Sequence, residues 1–255
     1  MPNSLLKLAR LGDGPEIFHT LQGEGVSAGR PAVFVRLSLC NLHCRWCDTD
    51  YTWNWEGTPF AHDRDQEAGY VKYKQEEQTI SLSPEDVARV VADWPTKRVV
   101  LTGGEPLLQQ SGLRMLATEL RSRDSSYVFE VETNGTLLPE EDLDPLMDQY
   151  NVSPKLENSG NRHALRIRPS VLAWFAASSK AWFKFVITSQ DDLAEIRTII
   201  TDAGISNERV ILMPEGRTPE AIATHRELVV KLCLDHGYTF NDRLHLRLFG
   251  ARRGT

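Results

Sequence analysis

The sequence predicts an α/β protein whose sheet forms an open, partial βα barrel of about six units. Apolar strand-like runs alternate with amphipathic helix-like stretches from residue 83 onwards, and such alternation implies parallel strands joined by right-handed crossovers. A complete barrel of eight units typically needs about 250 residues. The chain has 255, but an N-terminal segment and a long irregular stretch take up part of them. Too few residues remain to close the barrel.

The predicted elements begin with an apolar strand at 31–39. Residues 50–82 are rich in Trp, Tyr, Asp, Glu and Gln without steady periodicity, which is typical of a long loop or insertion. Ser83 and Pro84 then mark a helix start. Further strands are predicted at 97–102, 127–133, 150–154, 180–187, 209–214 and 243–249, and helices at 83–94, 107–122, 139–149, 165–178, 190–203 and 218–236. We expect residues 1–255 to form a single domain.

Composition and charge restrict the possible functions. No run of 18 or more apolar residues occurs, and the first residues lack the apolar stretch of a secretory signal, so we expect a cytoplasmic protein without membrane association. The net charge is −6 and there is no long basic run, which argues against nucleic-acid binding. A small-molecule partner is therefore favoured.

Three of the four cysteines, Cys40, Cys44 and Cys47, lie directly after the first predicted barrel strand. So compact a group cannot close useful disulfide loops, and α/β barrels assemble their active sites at this end of their strands. Three soft ligands suit an iron–sulfur cluster or zinc. A four-iron cluster held by three cysteines leaves one iron open, whereas structural zinc would need a fourth ligand. The candidates for that ligand are His43, His62 and Cys233.

A second motif, TGGEP at 102–106, lies between a predicted strand and a predicted helix. Its two glycines let a ligand approach the backbone, and the carboxylate of Glu105 is suited to an ammonium group. Together with the CX3CX2C spacing and Trp46 before the last cysteine, this turn resembles the radical S-adenosylmethionine (SAM) superfamily. The resemblance implies a [4Fe-4S] cluster on the three cysteines and SAM on the open iron.

The resemblance also implies which residues bind SAM. The stretches ETNG at 132–135 and SPK at 153–155 end successive predicted strands. Either stretch alone is at least as typical of a turn or a helix cap, but their recurrence at strand ends favours ligand binding. The implied SAM-binding residues are Trp46, Asp48, Gly103, Gly104, Glu105, Glu132, Ser153, Pro154 and Lys155.

A narrower resemblance rests on FHTLQGEG at 18–25 and GRPAVFVRL at 29–37. These stretches are similar to the N-terminal signature of the 7-carboxy-7-deazaguanine synthases, and the match continues through CDT at 47–49 to LFG at 248–250. An amide and a carboxylate at Gln22 and Glu24 suit the edge of a pterin, and Arg36 suits its carboxylate. The alternatives are a tight turn and a surface ion pair. Implied substrate contacts are Leu21, Gln22, Gly23, Glu24, Arg36, Thr102 and Thr255.

The same resemblance implies an activity in queuosine and 7-deazapurine biosynthesis. One electron from a carrier such as flavodoxin or ferredoxin starts the cleavage of SAM to a 5′-deoxyadenosyl radical, which takes hydrogen from C6 of 6-carboxy-5,6,7,8-tetrahydropterin. Loss of ammonia then gives 7-carboxy-7-deazaguanine, and SAM is regenerated. Thr49 would help to hold Mg²⁺ at the substrate, although a hydroxyl bonded to its own loop is the commoner role. A homodimer is also implied.

Two rival interpretations remain open. A glycyl-radical-enzyme activase shares the cysteine triad but acts on a protein, and would have little use for Gln22, Glu24 and Arg36. A non-catalytic iron–sulfur carrier or zinc module would need four ligands and no GGEP turn.

Several conspicuous residues are expected to lie outside the site. A core role is predicted for Trp174, Trp182, Phe183, Phe185 and Cys233. Tyr51, Trp53 and Trp55 follow the cysteine loop and could cover a cluster or form a dimer contact.

Overall fold

The computed structural model describes residues 5–255, which form one mixed sheet with helices packed against it. The strands are β1 (Leu6–Leu11), β2 (Gly14–Pro15), β3 (Ile17–Leu21), β4 (Pro31–Leu37), β5 (Thr79–Leu82), β6 (Arg98–Gly103), β7 (Val128–Thr133), β8 (Gln149–Val152), β9 (Ala181–Ile187), β10 (Val210–Pro214) and β11 (Thr239–Phe240). The helices are α1 (Gln75–Gln78), α2 (Pro84–Ala92), α3 (Gln110–Arg123), α4 (His163–Arg166), α5 (Pro169–Ala177), α6 (Asp192–Ala203), α7 (Pro219–His236) and α8 (Leu244–Phe249).

The sheet is open and mostly parallel. Its parallel strands follow the order β4, β6, β7, β8, β9, β10 and β11, of which the last has two residues. β1 and β3 pair antiparallel with β4, and β2 and β5 pair with β1. The two ends of the strand path, β2 and β11, do not meet. This architecture confirms the predicted open, partial barrel.

Helix boundaries follow from capping chemistry in the sequence. The hydroxyl of Ser83 accepts a hydrogen bond from the backbone N–H of Asp86 and starts α2, and Thr218 starts α7 in the same way. A proline occupies the first turn of both helices. α6 ends at Gly204, whose φ of +68° suits glycine.

Alternation along the strands separates the core from a concave face. Phe183, Phe185 and Ile187 of β9 are fully buried in the main core, as predicted for both phenylalanines. Lys184 and Val186 alternate with them and point to the opposite face. Cys233 is buried in the same core, as predicted, and Trp174 packs at its edge. Trp182 is half-buried.

Some predicted elements are wrong. The segment 243–249 was expected to be a strand, but forms the short helix α8. The helix predicted at 139–149 is replaced by a 3₁₀ turn at Asp144–Leu146, because Pro145 interrupts the segment and the chain must reach β8 at residue 149. The helix predicted at 165–178 is divided before Pro169. The irregular stretch 50–82 ends in strand β5. Among residues 5–255, no helix combines the length and apolar character needed to cross a membrane.

Candidate functional site

One cavity opens at the carboxyl ends of the parallel strands, and most of the predicted site residues line it. These are Leu21, Gln22, Gly23, Glu24, Arg36, Cys40, Cys44, Trp46, Cys47, Asp48, Thr49, Thr102, Gly103, Gly104, Glu132, Ser153, Lys155 and Thr255. Glu105 and Pro154 lie behind the cavity wall, where both are buried.

The cysteine loop leaves β4 through a left-handed residue. Leu39 has φ of +75°, a conformation that costs a non-glycine residue about 1 kcal/mol or more. Its N–H donates to the carbonyl of Thr52 at 3.0 Å, which holds this turn. The chain therefore reverses immediately before Cys40 and brings the thiols of the loop over the sheet.

The three cysteines line one cavity, where Cys44 is buried and Cys40 and Cys47 are half-buried. Burial raises the pKa of Cys40 and Cys44, and raises that of Cys47 to about 12. The metal-free protein therefore holds neutral thiols, and metal binding must displace their protons. Among residues 5–255, no group of three or more His, Cys, Asp or Glu side chains is arranged to hold a single metal ion.

Each candidate for a fourth zinc ligand has another contact. His43 stacks on Phe60 with 3.3 Å between ring centroids. Nδ1 of His62 accepts a hydrogen bond from the Arg64 N–H at 3.2 Å, so Nε2 carries the proton and donates to the carbonyl of Cys47 at 2.9 Å. Cys233 belongs to the core, where burial raises the pKa of its thiol to about 11.

Glu105 connects two strand ends from beneath the cavity. One carboxylate oxygen accepts hydrogen bonds from the Leu107 N–H at 3.0 Å and the Thr133 hydroxyl at 2.9 Å. The other accepts from the Asn134 N–H at 2.7 Å. Burial raises the pKa of this carboxyl although these donors act in the opposite direction. In this structure the Glu105 side chain fixes the wall of the cavity.

The two glycines of the TGGEP turn permit a close approach of backbone to backbone. The Gly104 N–H donates to the carbonyl of Leu37 at 3.0 Å. A Cβ on Gly103 would overlap backbone atoms of Leu37, and a Cβ on Gly104 would overlap the carbonyl of Leu39. Glycine is required at both positions for the cysteine loop to lie against this turn.

A buried ionic network crosses the cavity. Lys184 forms ion pairs with Glu24 and with Glu132, the latter at 3.1 Å. Arg243 pairs with Glu24 at 2.9 Å and also with Asp48. Burial would raise the pKa of Glu24, but Lys184 and Arg243 lower it well below its ordinary value. For Glu132 burial prevails, and its pKa is raised. The network joins the cysteine loop to the 21–25 loop.

Glu16 links Arg36 to the last residues of the chain. Arg36 pairs with the buried carboxylate of Glu16 at 2.9 Å while also lining the cavity. Arg253 pairs with the other oxygen of Glu16 at 2.7 Å, and its guanidinium stacks on Tyr51. These contacts hold the last residues of the chain, so that Thr255 lies at the cavity.

Sequence reasoning missed several residues of the site. The cavity is also lined by Phe18, Phe34, Lys184, Glu215, Arg243 and His245. The signal for Lys184 is a lone cation within the apolar strand AWFKFVI, which indicates a buried charge with a partner. Arg243 is not predicted as a site residue because the apolar residues that follow it alternate with polar ones as in a strand. Of the aromatic residues after the cysteine loop, Tyr51 and Trp53 are 4% and 3% exposed and Trp55 is half-buried, and Trp53 lines the cavity.

Comparison with known proteins shows the family of the chain. The family model for the radical SAM superfamily matches residues 35–175, which are more than half of the chain. The chain therefore belongs to that superfamily. A 7-carboxy-7-deazaguanine synthase from Pyrobaculum aerophilum is 38% identical over 94% of this chain and 95% of that protein. Another, from Halobacterium salinarum, is 36% identical over 93% and 92%. The chain belongs to the 7-carboxy-7-deazaguanine synthase family. The crystal structure of QueE from Escherichia coli shares its fold, with a TM-score of 0.67 and 24% identity over 94% of this chain and 95% of that one.

Substitution of Gly104 tests the close approach of the turn to the cysteine loop. Gly104→Ala should lower the free energy of unfolding of the metal-free protein by about 2–3 kcal/mol, because the added methyl group must displace backbone atoms. Urea unfolding followed by circular dichroism measures this. Gly14→Ala is the control, because nothing lies within 4 Å of its added Cβ. Equal stability of both variants would contradict the geometry.

Removal of the Lys184 charge tests the ionic network. Lys184→Met should lower the free energy of unfolding by about 3 kcal/mol at pH 8, because Glu132 loses its cation and Glu24 keeps only Arg243. Without Lys184, the pKa of the Glu24 and Glu132 carboxyl groups rises in the folded state, so ionising them destabilises the fold as the pH rises. The loss in free energy of unfolding should therefore be smaller at pH 5. Lys231→Met removes an exposed pair and should change stability by about 0.5 kcal/mol or less. A larger loss at pH 5 than at pH 8 would refute this assignment.

Proposed function

We propose that the chain converts 6-carboxy-5,6,7,8-tetrahydropterin to 7-carboxy-7-deazaguanine with loss of ammonia, in the 7-deazapurine pathway. Family membership supports this activity. The single observation that carries it within the structure is one cavity lined both by three cysteine thiols and by the polar set of Gln22, Glu24 and Arg36. A protein-substrate activase would have no need of the second group.

The residues of the cavity fit the cofactors of the superfamily. Cys40, Cys44 and Cys47 would hold a [4Fe-4S] cluster, since three soft donors that line one cavity at the rim of an α/β barrel suit iron–sulfur chemistry. When bound, the cluster and SAM supply one-electron chemistry that removes a hydrogen atom from a carbon. The implied SAM-binding residues Trp46, Asp48, Gly103, Gly104, Glu132, Ser153 and Lys155 line the cavity beside the thiols.

Glu105 and Pro154 would support SAM binding indirectly, because each fixes the backbone of residues that line the cavity. The Glu105 carboxylate fixes the backbone of Asn134, whose side chain lines the cavity. Pro154 lies between the cavity residues Ser153 and Lys155 and fixes the backbone φ between them. Both are positioning residues in this proposal.

The substrate would lie against a second wall of the cavity, which contains the 21–25 loop and Arg36. Gln22 donates through Nε2 to Glu132 at 3.2 Å and lies beside Gly23 and Glu24, so an amide, a backbone and a carboxylate can meet the donor and acceptor edge of a pterin. Arg36 would bind the substrate carboxylate, with Glu16 fixing its guanidinium. Leu21, Thr102 and Thr255 complete this wall.

An anaerobic assay tests the reaction. Reconstituted protein is incubated with SAM, dithionite and 6-carboxy-5,6,7,8-tetrahydropterin, and the product is followed by ultraviolet absorbance and mass. Formation of 7-carboxy-7-deazaguanine with SAM unconsumed supports the proposal. Activation of a protein substrate instead would support the activase. The physiological electron source, such as flavodoxin or ferredoxin, a homodimer and a cytoplasmic location stay predictions.

Cysteine variants separate cluster ligands from the core thiol. Cys40→Ala, Cys44→Ala and Cys47→Ala should each abolish turnover and most of the bound iron. Cys233→Ala is the matched control and should keep both, since its thiol lies in the core. Anaerobic iron analysis and electron paramagnetic resonance measure the cluster. A Cys44→Ala variant with a normal cluster and normal turnover would disprove the ligand set.

Thr49 is proposed as the protein ligand of a substrate-bound Mg²⁺, because its hydroxyl lines the cavity next to Cys47 and Asp48 and Mg²⁺ takes oxygen ligands. Turnover of chelator-treated wild-type enzyme should rise when Mg²⁺ is added, while Thr49→Val with a full cluster should respond little. Thr198→Val, on the exposed side of α6, should respond like wild type. Equal stimulation of both variants would leave the Thr49 hydroxyl a role within its loop, where Cys47 Sγ lies 3.5 Å away.

A further inference from the structure

The cysteine loop is bonded along its length to the segment 158–161. The indole N–H of Trp46 donates to Oδ1 of Asn158 at 3.2 Å, and the Arg45 N–H donates to the carbonyl of Ser159 at 3.0 Å. Oδ1 of Asn161 accepts from the His43 N–H at 2.9 Å, and its Nδ2 donates to Sγ of Cys44 at 3.3 Å. Asn161 therefore contacts a proposed cluster ligand directly.

The segment that follows this contact carries two exposed arginines and an exposed histidine. Arg162, His163 and Arg168 are exposed, and no ion pair involving them occurs among the described residues. No aspartate or glutamate lies between 158 and 168, although the whole chain carries a net charge of −6. Leu165 is 43% exposed among these cations. We call residues 162–168, together with Arg45, the basic face.

The basic face is held rigidly against the cysteine loop. The buried Arg166 donates to the carbonyls of Asn161 at 3.1 Å and Lys155 at 2.9 Å, and it also pairs with Glu195. Arg45 precedes Trp46 in the cysteine loop, and its side chain is 61% exposed. This side chain lies close to Gly160, since a Cβ added there would be 3.6 Å from its Cδ. Its guanidinium pairs with Asp63 at 2.7 Å, so among the described residues the cations of this face without an ion pair are Arg162 and Arg168.

We infer that the basic face is the docking surface of a small acidic one-electron carrier protein. This inference rests on the proposed function, which needs a reductant. A cationic surface attracts an acidic partner and raises its rate of association, and electron-transfer contacts are small and transient. An exposed leucine within a charged rim supplies the apolar centre of such a contact. The position matters because Asn161, at the edge of the face, reaches Sγ of Cys44.

The step that this surface serves is a simple electron transfer. The reduced carrier loses one electron and the cluster gains one, while no covalent bond forms or breaks. Asn161 and the Cys44 thiolate lie between the face and the cavity, so a docked carrier needs no access to the cavity that SAM and substrate occupy. The carrier can therefore bind while both are present.

Charge reversal on the face tests the inference in the reconstituted holoenzyme. The double variant Arg162→Glu/Arg168→Glu is compared with Arg89→Glu/Arg123→Glu, which makes the same charge change at exposed arginines in α2 and at the end of α3. Flavodoxin is the probe. Its affinity is measured by surface plasmon resonance at low and high salt, and the rate of cluster reduction by stopped-flow absorbance.

The basic-face variant should lose about tenfold or more in affinity and in flavodoxin-driven reduction rate at low salt. The difference from wild type should shrink near 0.5 M salt, roughly, where charges are screened. The control variant should lose much less. Cluster reduction and turnover with dithionite should be unchanged, because this small reductant needs no docking face.

Three outcomes of the flavodoxin and dithionite measurements would overturn the inference. They are unchanged flavodoxin affinity, equal losses in the two variants, and an equal loss with dithionite, which would show a structural defect. Failure of the proposed function is seen separately, since wild-type enzyme would then make no 7-carboxy-7-deazaguanine with dithionite. If light scattering shows that the reversal dissociates an oligomer, the face binds a second copy of the chain and the carrier assignment is wrong.

Discussion

The site depends on a close backbone contact between the end of β4 and the glycine turn after β6. The carbonyls of Leu37 and Leu39 accept hydrogen bonds from the N–H groups of Gly104 and Glu105, at 3.0 and 2.8 Å. Any side chain at Gly104 would push these strands apart. The contact makes the cysteine loop and the TGGEP turn one structural unit, although they are far apart in the sequence. Backbone geometry thus places the three cysteines beside this turn.

Glu105 extends this unit to the next strand. Its carboxylate takes donors from Thr133 and Asn134, and the Asn134 side chain donates to Oδ1 of Asn41 at 2.8 Å in the cysteine loop. Asn41 in turn donates to the hydroxyl of Thr136 at 2.8 Å. The hydrogen bonds therefore close a ring from loop to turn to strand and back. Buried polar groups that are fully paired fix a single arrangement, because any other one leaves a donor or acceptor without a partner.

The sequence predicted what is local and missed what is distant. Strand and helix boundaries such as Ser83–Pro84 depend on neighbouring residues, and the motif residues lie at strand ends where the fold brings them together. The segment 243–249 was misread because Leu244, Leu246 and Leu248 alternate as in a strand, yet Leu248 is 51% exposed and the segment forms a helix. The position of this helix is fixed by Arg243, which pairs with Glu24, a residue 219 positions earlier in the chain. No local pattern reveals such a partner.

The insertion 50–82 supports the site because it forms hydrogen bonds to the backbone of the cysteine loop. Within the cysteine loop the Cys47 N–H donates to the carbonyl of Cys44 at 3.0 Å, and segments on its two sides pair further backbone groups. On one side the Asp63 N–H donates to the carbonyl of Arg45 at 2.7 Å and His62 donates to that of Cys47. On the other, Ser159 accepts from the N–H of the same Arg45. With its backbone held from both flanks, the loop can turn its thiols towards the cavity. Residues 50–82 thus do more than cover the fold, because without them the hydrogen bonds to the carbonyls of Arg45 and Cys47 would be lost.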